Sequence, residues 1–300
     1  MVYILVNPKA GGEKAGDLKE QVLALPEFQG KEGETRDVTE LGEYVPFLKG
    51  LAAEDEIVFV GGDGTLNYLV NHIRGYRPAN RIYLYASGTG NDFMTDVLGE
   101  KAKEQKLLDV SEYILDLPVA VIDGQAYTFI DNVAYGLDGE VCVLGEDAKA
   151  AGAEKVNYTS LAIKLLMRYK VCKARVTVDG VVHEHEKAWL APVMKGKYYG
   201  GGMMIAPKQD RKSGNISVTL FCGSGRLRTL MIFPKIFTGE HVNYKKYISI
   251  YEGKDIEVEM EVPKHVHVDG EVVRDVKSLR CYTGEAAHAY DLYTPEGEKK

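Results

Sequence analysis

Residues Ile57-Val58-Phe59-Val60-Gly61-Gly62-Asp63-Gly64-Thr65-Leu66-Asn67 constrain the fold of this chain more than any other stretch. Four apolar, mostly β-branched residues make a buried strand, and glycines flanking an aspartate end it. Leu66, Leu69, Val70 and Ile73 then recur at helical spacing, so a helix is expected to open at Thr65. A strand, a glycine turn and a helix start bring backbone N–H groups and a partial positive charge to one point, which suits a phosphate. Glycine lets the backbone approach a ligand with no Cβ in the way. A carboxylate at such a point repels phosphate unless a magnesium ion lies between them, so Asp63 suggests a Mg-nucleotide site. A tight βα turn without a ligand would have the same local sequence.

The strand–loop–helix pattern recurs on both sides of this stretch. A strand over 2–6 leads into Asn7-Pro8-Lys9-Ala10-Gly11-Gly12 and a helix over 17–25. A short polar strand over 35–38 precedes Thr39, which is placed to cap a helix over 41–51. A strand over 81–85 leads into Ala86-Ser87-Gly88-Thr89-Gly90-Asn91-Asp92-Phe93, with a helix starting at Asn91 or Asp92. Strands alternating with helices imply a parallel sheet covered on both faces. Ligands of such sheets sit beyond the carboxyl ends of the strands, so all three loops should face one crevice.

Beyond residue 117 short strands dominate and the pattern becomes that of a β-sandwich. Ile256, Val258, Met260 and Val262 alternate with charged residues, giving a strand with one wet face. Val178-Asp179-Gly180-Val181 is a hairpin turn. Helices are expected over 156–169 and 226–237. The domains are therefore an α/β nucleotide-binding domain over 1–116, a β-sandwich over 117–284, and a polar tail over 285–300 whose return to the first domain stays open. A length of 300 residues fits two domains. The net charge of −7 argues against broad non-specific binding to nucleic acid or to an anionic membrane, and leaves room for a local basic patch. Cys142, Cys172, Cys222 and Cys281 have no paired spacing and read as reduced thiols of a cytoplasmic protein. No apolar run approaches the ~20 residues that span a bilayer, and the first strand is too short for a signal peptide.

Five motifs in order resemble those of the diacylglycerol kinase catalytic superfamily, most closely the bacterial soluble lipid kinases. They are Asn7-Pro8 to Gly11, the Gly61 to Asn67 run, Gly88 to Phe93, Gly200-Gly201-Gly202-Met203 with Ala206-Pro207, and Asp269-Gly270-Glu271. The resemblance covers nearly the whole chain. It implies ATP-dependent phosphorylation of a lipid hydroxyl such as that of diacylglycerol, with Mg2+. It also implies a Rossmann-like nucleotide domain of the NAD kinase and diacylglycerol kinase type, a C-terminal β-sandwich, and an active site in the cleft between them. Carried over residue by residue, the nucleotide contacts are Asn7, Pro8, Lys9, Ala10, Gly11, Thr39, Gly61, Gly62, Asp63, Gly64, Thr65, Leu66, Asn67, Tyr68, Thr89 and Asn91. Asn7 and Asn67 equally suit turn or cap roles.

Asp63 is assigned the catalytic magnesium, through one carboxylate contact and waters. Glu271 is assigned the general base, with Asp269 as the second candidate or a helper that orients it. The Val-Asp-Gly of this turn also occurs at Asp179, where no acid follows, so a plain hairpin is the default for both. The three glycines from Gly200 give a close backbone approach or a mobile loop, read as the wall of the cleft. Asp138 is either a headgroup contact or a solvent-facing turn acid.

Two departures stand out. Tyr68 occupies a position where the family often has Glu. Ser213 replaces an aspartate that helps many relatives hold a structural magnesium, leaving Asp210 and Asn215 as candidate ligands. The resemblance further implies a lipid partner and transient docking on a membrane surface, for which Arg168, Lys170, Lys173, Arg175, Arg226 and Arg228 are available. A homodimer stays open. Alternatives are an NAD kinase-like enzyme, which shares the Gly-Gly-Asp-Gly turn, and a non-catalytic nucleotide- or lipid-binding protein, prompted by Tyr68 and Ser213. No P-loop signature occurs, and Asn67 stands where a dinucleotide fingerprint needs its third glycine.

Overall fold

The computed structural model describes residues 1–7, 15–87, 90–153 and 156–293. The chain forms two compact units, Met1–Leu117 together with the chain from Asp291, and Pro118–Tyr290. The expected contacts at Pro8, Lys9, Ala10, Gly11 and Thr89 lie outside the described residues.

In the first unit, β1 (Val2–Val6), α1 (Ala15–Leu23), β2 (Gly33–Asp37), α2 (Tyr44–Lys49), β3 (Glu56–Gly61), α3 (Asp63–His72), β4 (Arg81–Ala86), α4 (Asp92–Leu98) and β5 (Leu107–Asp109) follow in order. The sheet order is β2-β1-β3-β4-β5. The first four strands are parallel, and β5 adds antiparallel to β4. Alternation along β3 covers both faces of the sheet. Val58 and Val60 share a buried cluster with Leu18 and Val22 of α1. Phe59, one residue out of phase, stacks on Tyr44 of α2 with centroids 6.1 Å apart.

Thr39 does not cap α2. Its amide and hydroxyl both donate to Asp37 Oδ1, at 2.8 and 2.7 Å. This local Asx turn competes with helix initiation, so α2 begins five residues later and Gly50 closes it. At the far end of the chain, the Leu292 amide donates to the Arg74 carbonyl at 3.2 Å.

The second unit contains β6 (Val119–Ile122), β7 (Gln125–Thr128), β8 (Asn132–Tyr135), α5 (Leu137–Ala150), α6 (Tyr158–Leu166), β9 (Cys172–Val178), β10 (Val181–Ala188), β11 (Val193–Met194), β12 (Tyr198–Tyr199) and β13 (Met203–Met204). It continues with β14 (Ile216–Phe221), α7 (Arg226–Ile232), β15 (Ile248–Gly253), β16 (Asp255–Val268), β17 (Glu271–Tyr282) and α8 (Glu285–His288). The long strand β16 organises it. Its first half pairs with β9 and its last residues pair with β8. A register shift between Glu259 and Lys264 separates the two halves. A bulged strand that changes neighbours in this way bends one sheet back over itself, which is how a sandwich corner is made. Val133, Val193, Val218, Ile256, Val258 and Leu279 fill the interior.

Helix α5 replaces the loop or turn expected around Asp138. Its glycines hide it in the sequence, because glycine disfavours helix interiors. Gly139 is required by packing instead, since a Cβ there would stand 2.1 Å from the His265 carbonyl oxygen of β16. Helices α6 and α7 fall inside their expected ranges but are shorter.

Candidate active site

Asp63 joins the two glycine turns of the first unit. It is the first residue of α3, behind Gly62, whose φ is −125°. The Asp63 amide donates to the Gly90 carbonyl at 3.1 Å. Its carboxylate accepts the Asp92 amide at 2.8 Å and the Phe93 amide at 3.2 Å. Asn91 precedes α4 without capping it through its side chain, so Asp63 satisfies the free N–H groups of α4 from a distant part of the chain. A Cβ on Gly62 would lie 2.3 Å from the Gly90 carbonyl oxygen, whereas one on Gly64 would meet nothing within 4 Å. Gly62 is thus needed for turn-to-turn contact, and Gly64 leaves space beside the turn. An ionised carboxylate has about four acceptor positions, and these two amides take one each.

The other expected nucleotide residues flank this junction on α3. Thr65 leans against Gly61, where a Cβ would lie 2.0 Å from its hydroxyl oxygen. Leu66 and Asn67 are buried, and the Asn67 carbonyl and side-chain oxygens accept from Asn71 at 3.0 and 3.2 Å. Tyr68 is 46% exposed and lies over His72 with ring centroids 3.9 Å apart. Asn7 directly follows β1 and is half-buried. Thr39 belongs to the turn after β2.

In the second unit, Asp269 and Gly270 form the β16–β17 turn with φ of 45° and 101°. Both are positive, as a two-residue hairpin of the Asp-Gly type demands. Asp179 and Gly180 repeat this geometry, with φ of 47° and 83°. The two aspartates do related work. Asp179 Oδ1 accepts the amides of Lys254 and Asp255 at 3.0 and 2.9 Å. The Asp269 carboxylate accepts three amides, from Ile130 at 2.6 Å, Asp131 at 3.0 Å and Asn132 at 2.8 Å. Asp269 therefore binds the β7–β8 connection to the turn. Glu271 opens β17 and is exposed, and its side chain makes no hydrogen bond or ion pair among the described residues. Burial first, then the charges of Glu271 and Asp123, raise the hydroxyl of Tyr127 on β7.

A buried polar frame, which the sequence did not reveal, surrounds this turn. The Gly270 amide donates to His267 Nδ1 at 3.2 Å. His267 is buried, and its burial lowers the imidazole to about 4. The Tyr199 hydroxyl, on a ring 5.9 Å from His267, donates to Asp138 Oδ2 at 2.6 Å. Asp138 is buried, so it is not a solvent-facing turn acid, and burial pushes its carboxyl up to about 6 against a smaller pull from Tyr199. Arg211 pairs with Asp131 and donates to the Ile130 carbonyl, with both members of the ion pair buried.

Asp210 and Asn215 occupy the loop that carries Arg211. Asp210 Oδ1 accepts the Lys212 amide at 2.9 Å, and Asn215 Nδ2 donates to Glu252 at 2.9 Å. Lys195 Nζ reaches into the same loop and donates to the Ser213 carbonyl at 3.0 Å. A lysine ammonium beside these donors is a poor companion for a bound cation. Among the described residues no group of three or more His, Cys, Asp or Glu could hold a metal ion.

Comparisons with known proteins agree across both units. The family model described as diacylglycerol kinase catalytic domain matches residues 1–118. The model described as YegS C-terminal NAD kinase beta sandwich-like domain matches residues 131–282. A diacylglycerol kinase of Mycobacterium tuberculosis is 25% identical over 72% of this chain and 70% of its own length. A diacylglycerol kinase of Bacillus subtilis is 23% identical over 89% of this chain and 88% of its own. A crystal structure of a diacylglycerol kinase from Bacillus anthracis superposes with a TM-score of 0.59 at 19% identity, covering 95% of this chain and 97% of that one. At that identity the superposition speaks for the fold alone. With both halves matched in the expected order, the chain belongs to the bacterial lipid kinase family that joins a diacylglycerol kinase catalytic domain to a NAD kinase-like β-sandwich.

Proposed function

We propose that this lipid kinase transfers the γ-phosphate of ATP to the hydroxyl of diacylglycerol or a similar amphiphile, with Mg2+ held through Asp63. Family membership implies a nucleotide donor. The observation that carries the reading is the Asp63 junction, where a carboxylate stands between two amide-rich glycine turns. A bound Mg-nucleotide would supply the phosphoryl group and neutralise its charge. The residues of the chain do the rest by alignment, which is what phosphoryl transfer chiefly requires. The Gly62 and Gly64 amides would face the phosphates, while the Asp63, Thr65 and Leu66 amides hold the turn through the Gly90 and Gly62 carbonyls, and Tyr68 and Asn67 extend that contact along α3. Glu271, whose carboxylate no partner occupies among the described residues, takes the proton of the acceptor hydroxyl as its oxygen bonds to phosphorus and ADP departs. Asp269, committed to three amides, acts as a positioning residue that holds the turn carrying Glu271. Asp210 and Asn215 take no metal in this reading.

The test is an assay of γ-labelled ATP against a total lipid extract, with the labelled product identified. Label should appear in one lipid class, should require Mg2+, and should vanish in Asp63→Ala and Glu271→Ala. Label transfer to NAD instead of lipid would favour the NAD kinase-like alternative, and full transfer by Asp63→Ala would remove the metal assignment.

A further inference from the structure

The two Asp-Gly hairpins of the second unit share a backbone form but not their surroundings. Val178 pairs with Val181 across one turn, and Val268 pairs with Glu271 across the other. In both turns φ is positive at the two central residues, which is the type I′ form. Type II′ keeps a positive φ at the first central residue only, and the two forms differ by rotation of the peptide between the central residues. The Asp-Gly pair does not by itself hold that peptide, because glycine accepts either sign of φ.

At Asp269 a neighbouring side chain holds it. The residue two before the aspartate is His267 in this turn and Thr177 in the other. His267 Nδ1 accepts the Gly270 amide at 3.2 Å. Thr177 makes no such bond to the Gly180 amide among the described residues. An imidazole that accepts at Nδ1 is neutral and carries its proton on Nε2, and burial favours that neutral form here. The ring is itself held in place. It packs against the Tyr199 ring with centroids 5.9 Å apart, and the Tyr199 hydroxyl is tied to Asp138 at 2.6 Å.

The consequence falls on Glu271. The N–H and C=O of a trans peptide point in opposite directions, so the Asp269 carbonyl points away from His267. Side chains alternate along a strand, and Glu271 pairs with Val268 while His267 pairs with Val272. Glu271 therefore projects from the face of the hairpin opposite His267. A flipped peptide would bring the Gly270 N–H to the face of Glu271 and offer its carboxylate a donor. A carboxylate that accepts an amide is a weaker base.

We infer that His267 is a positioning residue for the transfer step, holding the Asp269–Gly270 peptide with its N–H turned away from Glu271 so that the carboxylate stays free for the proton of the acceptor hydroxyl. The inference rests on the reading of Glu271 as the base and adds the side chain that keeps that base available. Asp269 fastens the turn to the β7–β8 connection, and His267 sets the orientation of the peptide within it.

Amide exchange followed by 15N NMR, together with single-turnover transfer from ATP to dispersed diacylglycerol, tests this. In the wild type the Gly270 amide should exchange about tenfold or more slowly than the Gly180 amide. His267→Leu removes the acceptor, so Gly270 exchange should rise to that of Gly180. Transfer should then fall about tenfold with ATP affinity unchanged. His267→Asn carries a carbonyl oxygen near the position of Nδ1 and should restore the protection and most of the rate. That rescue, with the unchanged ATP affinity, separates positioning from a general loss of structure, and melting curves identify which variants fold. The wild-type exchange ratio judges the contact even where His267→Leu does not fold. Equal exchange of Gly270 and Gly180 in the wild type would overturn the inference. So would a folded His267→Leu that transfers at the wild-type rate, or a folded His267→Asn no faster than His267→Leu. A wild type that protects Gly270 and phosphorylates no lipid would instead overturn the kinase reading on which the inference rests.

Discussion

Asp269 and Asn132 exchange two hydrogen bonds. The Asp269 amide donates to the Asn132 carbonyl at 3.0 Å, and the Asn132 amide returns to Asp269 Oδ1 at 2.8 Å. Two further amides, of Ile130 and Asp131, end on the same carboxylate. Asp269→Ala strands these donors in a partly buried place and should cost about 3 kcal/mol of unfolding free energy. Asp179→Ala, at the matching turn with two exposed amide partners, should cost about 1 kcal/mol. Urea titrations of the two variants compare them, and equal losses would remove the special role of Asp269.

Gly62 and Gly64 sit two residues apart and should respond oppositely to alanine. Gly62→Ala drives a methyl group into the Gly90 carbonyl and should cost about 2 kcal/mol. Gly64→Ala enters open space, so stability should stay within about 0.5 kcal/mol. Its ATP affinity should nevertheless fall, because the methyl stands where phosphate is proposed to lie. Thermal melts and nucleotide titrations separate the two effects.

The Arg211–Asp131 ion pair anchors the segment whose amides reach Asp269. Arg211→Met leaves Asp131 buried without this charge partner and should cost about 3–5 kcal/mol. Adding Asp131→Asn should recover much of the loss. A single-variant cost below about 1 kcal/mol, measured by denaturant, would show that the pair holds nothing in place.

Asp138 and His267 should bend the pH dependence of stability in opposite directions. Folded Asp138 holds its proton more tightly than the unfolded residue, so its contribution falls as pH rises from 3.8 to about 6. Folded His267 refuses the proton that the unfolded residue accepts, so its contribution grows as pH rises from about 4 to 6.5. Relative to wild type, Asp138→Asn should therefore gain up to about 3 kcal/mol between about pH 4 and 6. His267→Gln should lose a similar amount relative to wild type across the same window. Chemical denaturation at several pH values measures both, and pH-independent differences would contradict the burial of these groups.

Much of the architecture was legible because it rests on local signals. The apolar run through Val58 and Phe59, and the glycines that stop it, announce a buried parallel strand and its turn. The Asp-Gly pairs at Asp179 and Asp269 announce hairpins, because few other residues accept positive φ twice in succession. Helix α5 was not legible, since Gly139 is explained only by the approach of His265 from a strand over a hundred residues away. The site divides in the same way. Asp63 and Glu271 stand in recognisable motifs. The partners of Asp63 on α4, and the Arg211–Asp131 and Tyr199–Asp138 contacts, arise from tertiary packing that no spacing encodes. Thr39 shows the converse, a good cap by sequence that a nearer acceptor, Asp37, claims first.

The central claim is that Glu271 takes a proton from a lipid hydroxyl while the unit carrying Asp63 holds the nucleotide. Single-turnover transfer from ATP to dispersed diacylglycerol, followed for wild type and Glu271→Gln alongside ATP binding, tests it most directly. The account predicts a transfer rate reduced about 100-fold or more in Glu271→Gln, with ATP affinity unchanged. A Glu271→Gln enzyme that transfers phosphate at the wild-type rate would contradict it.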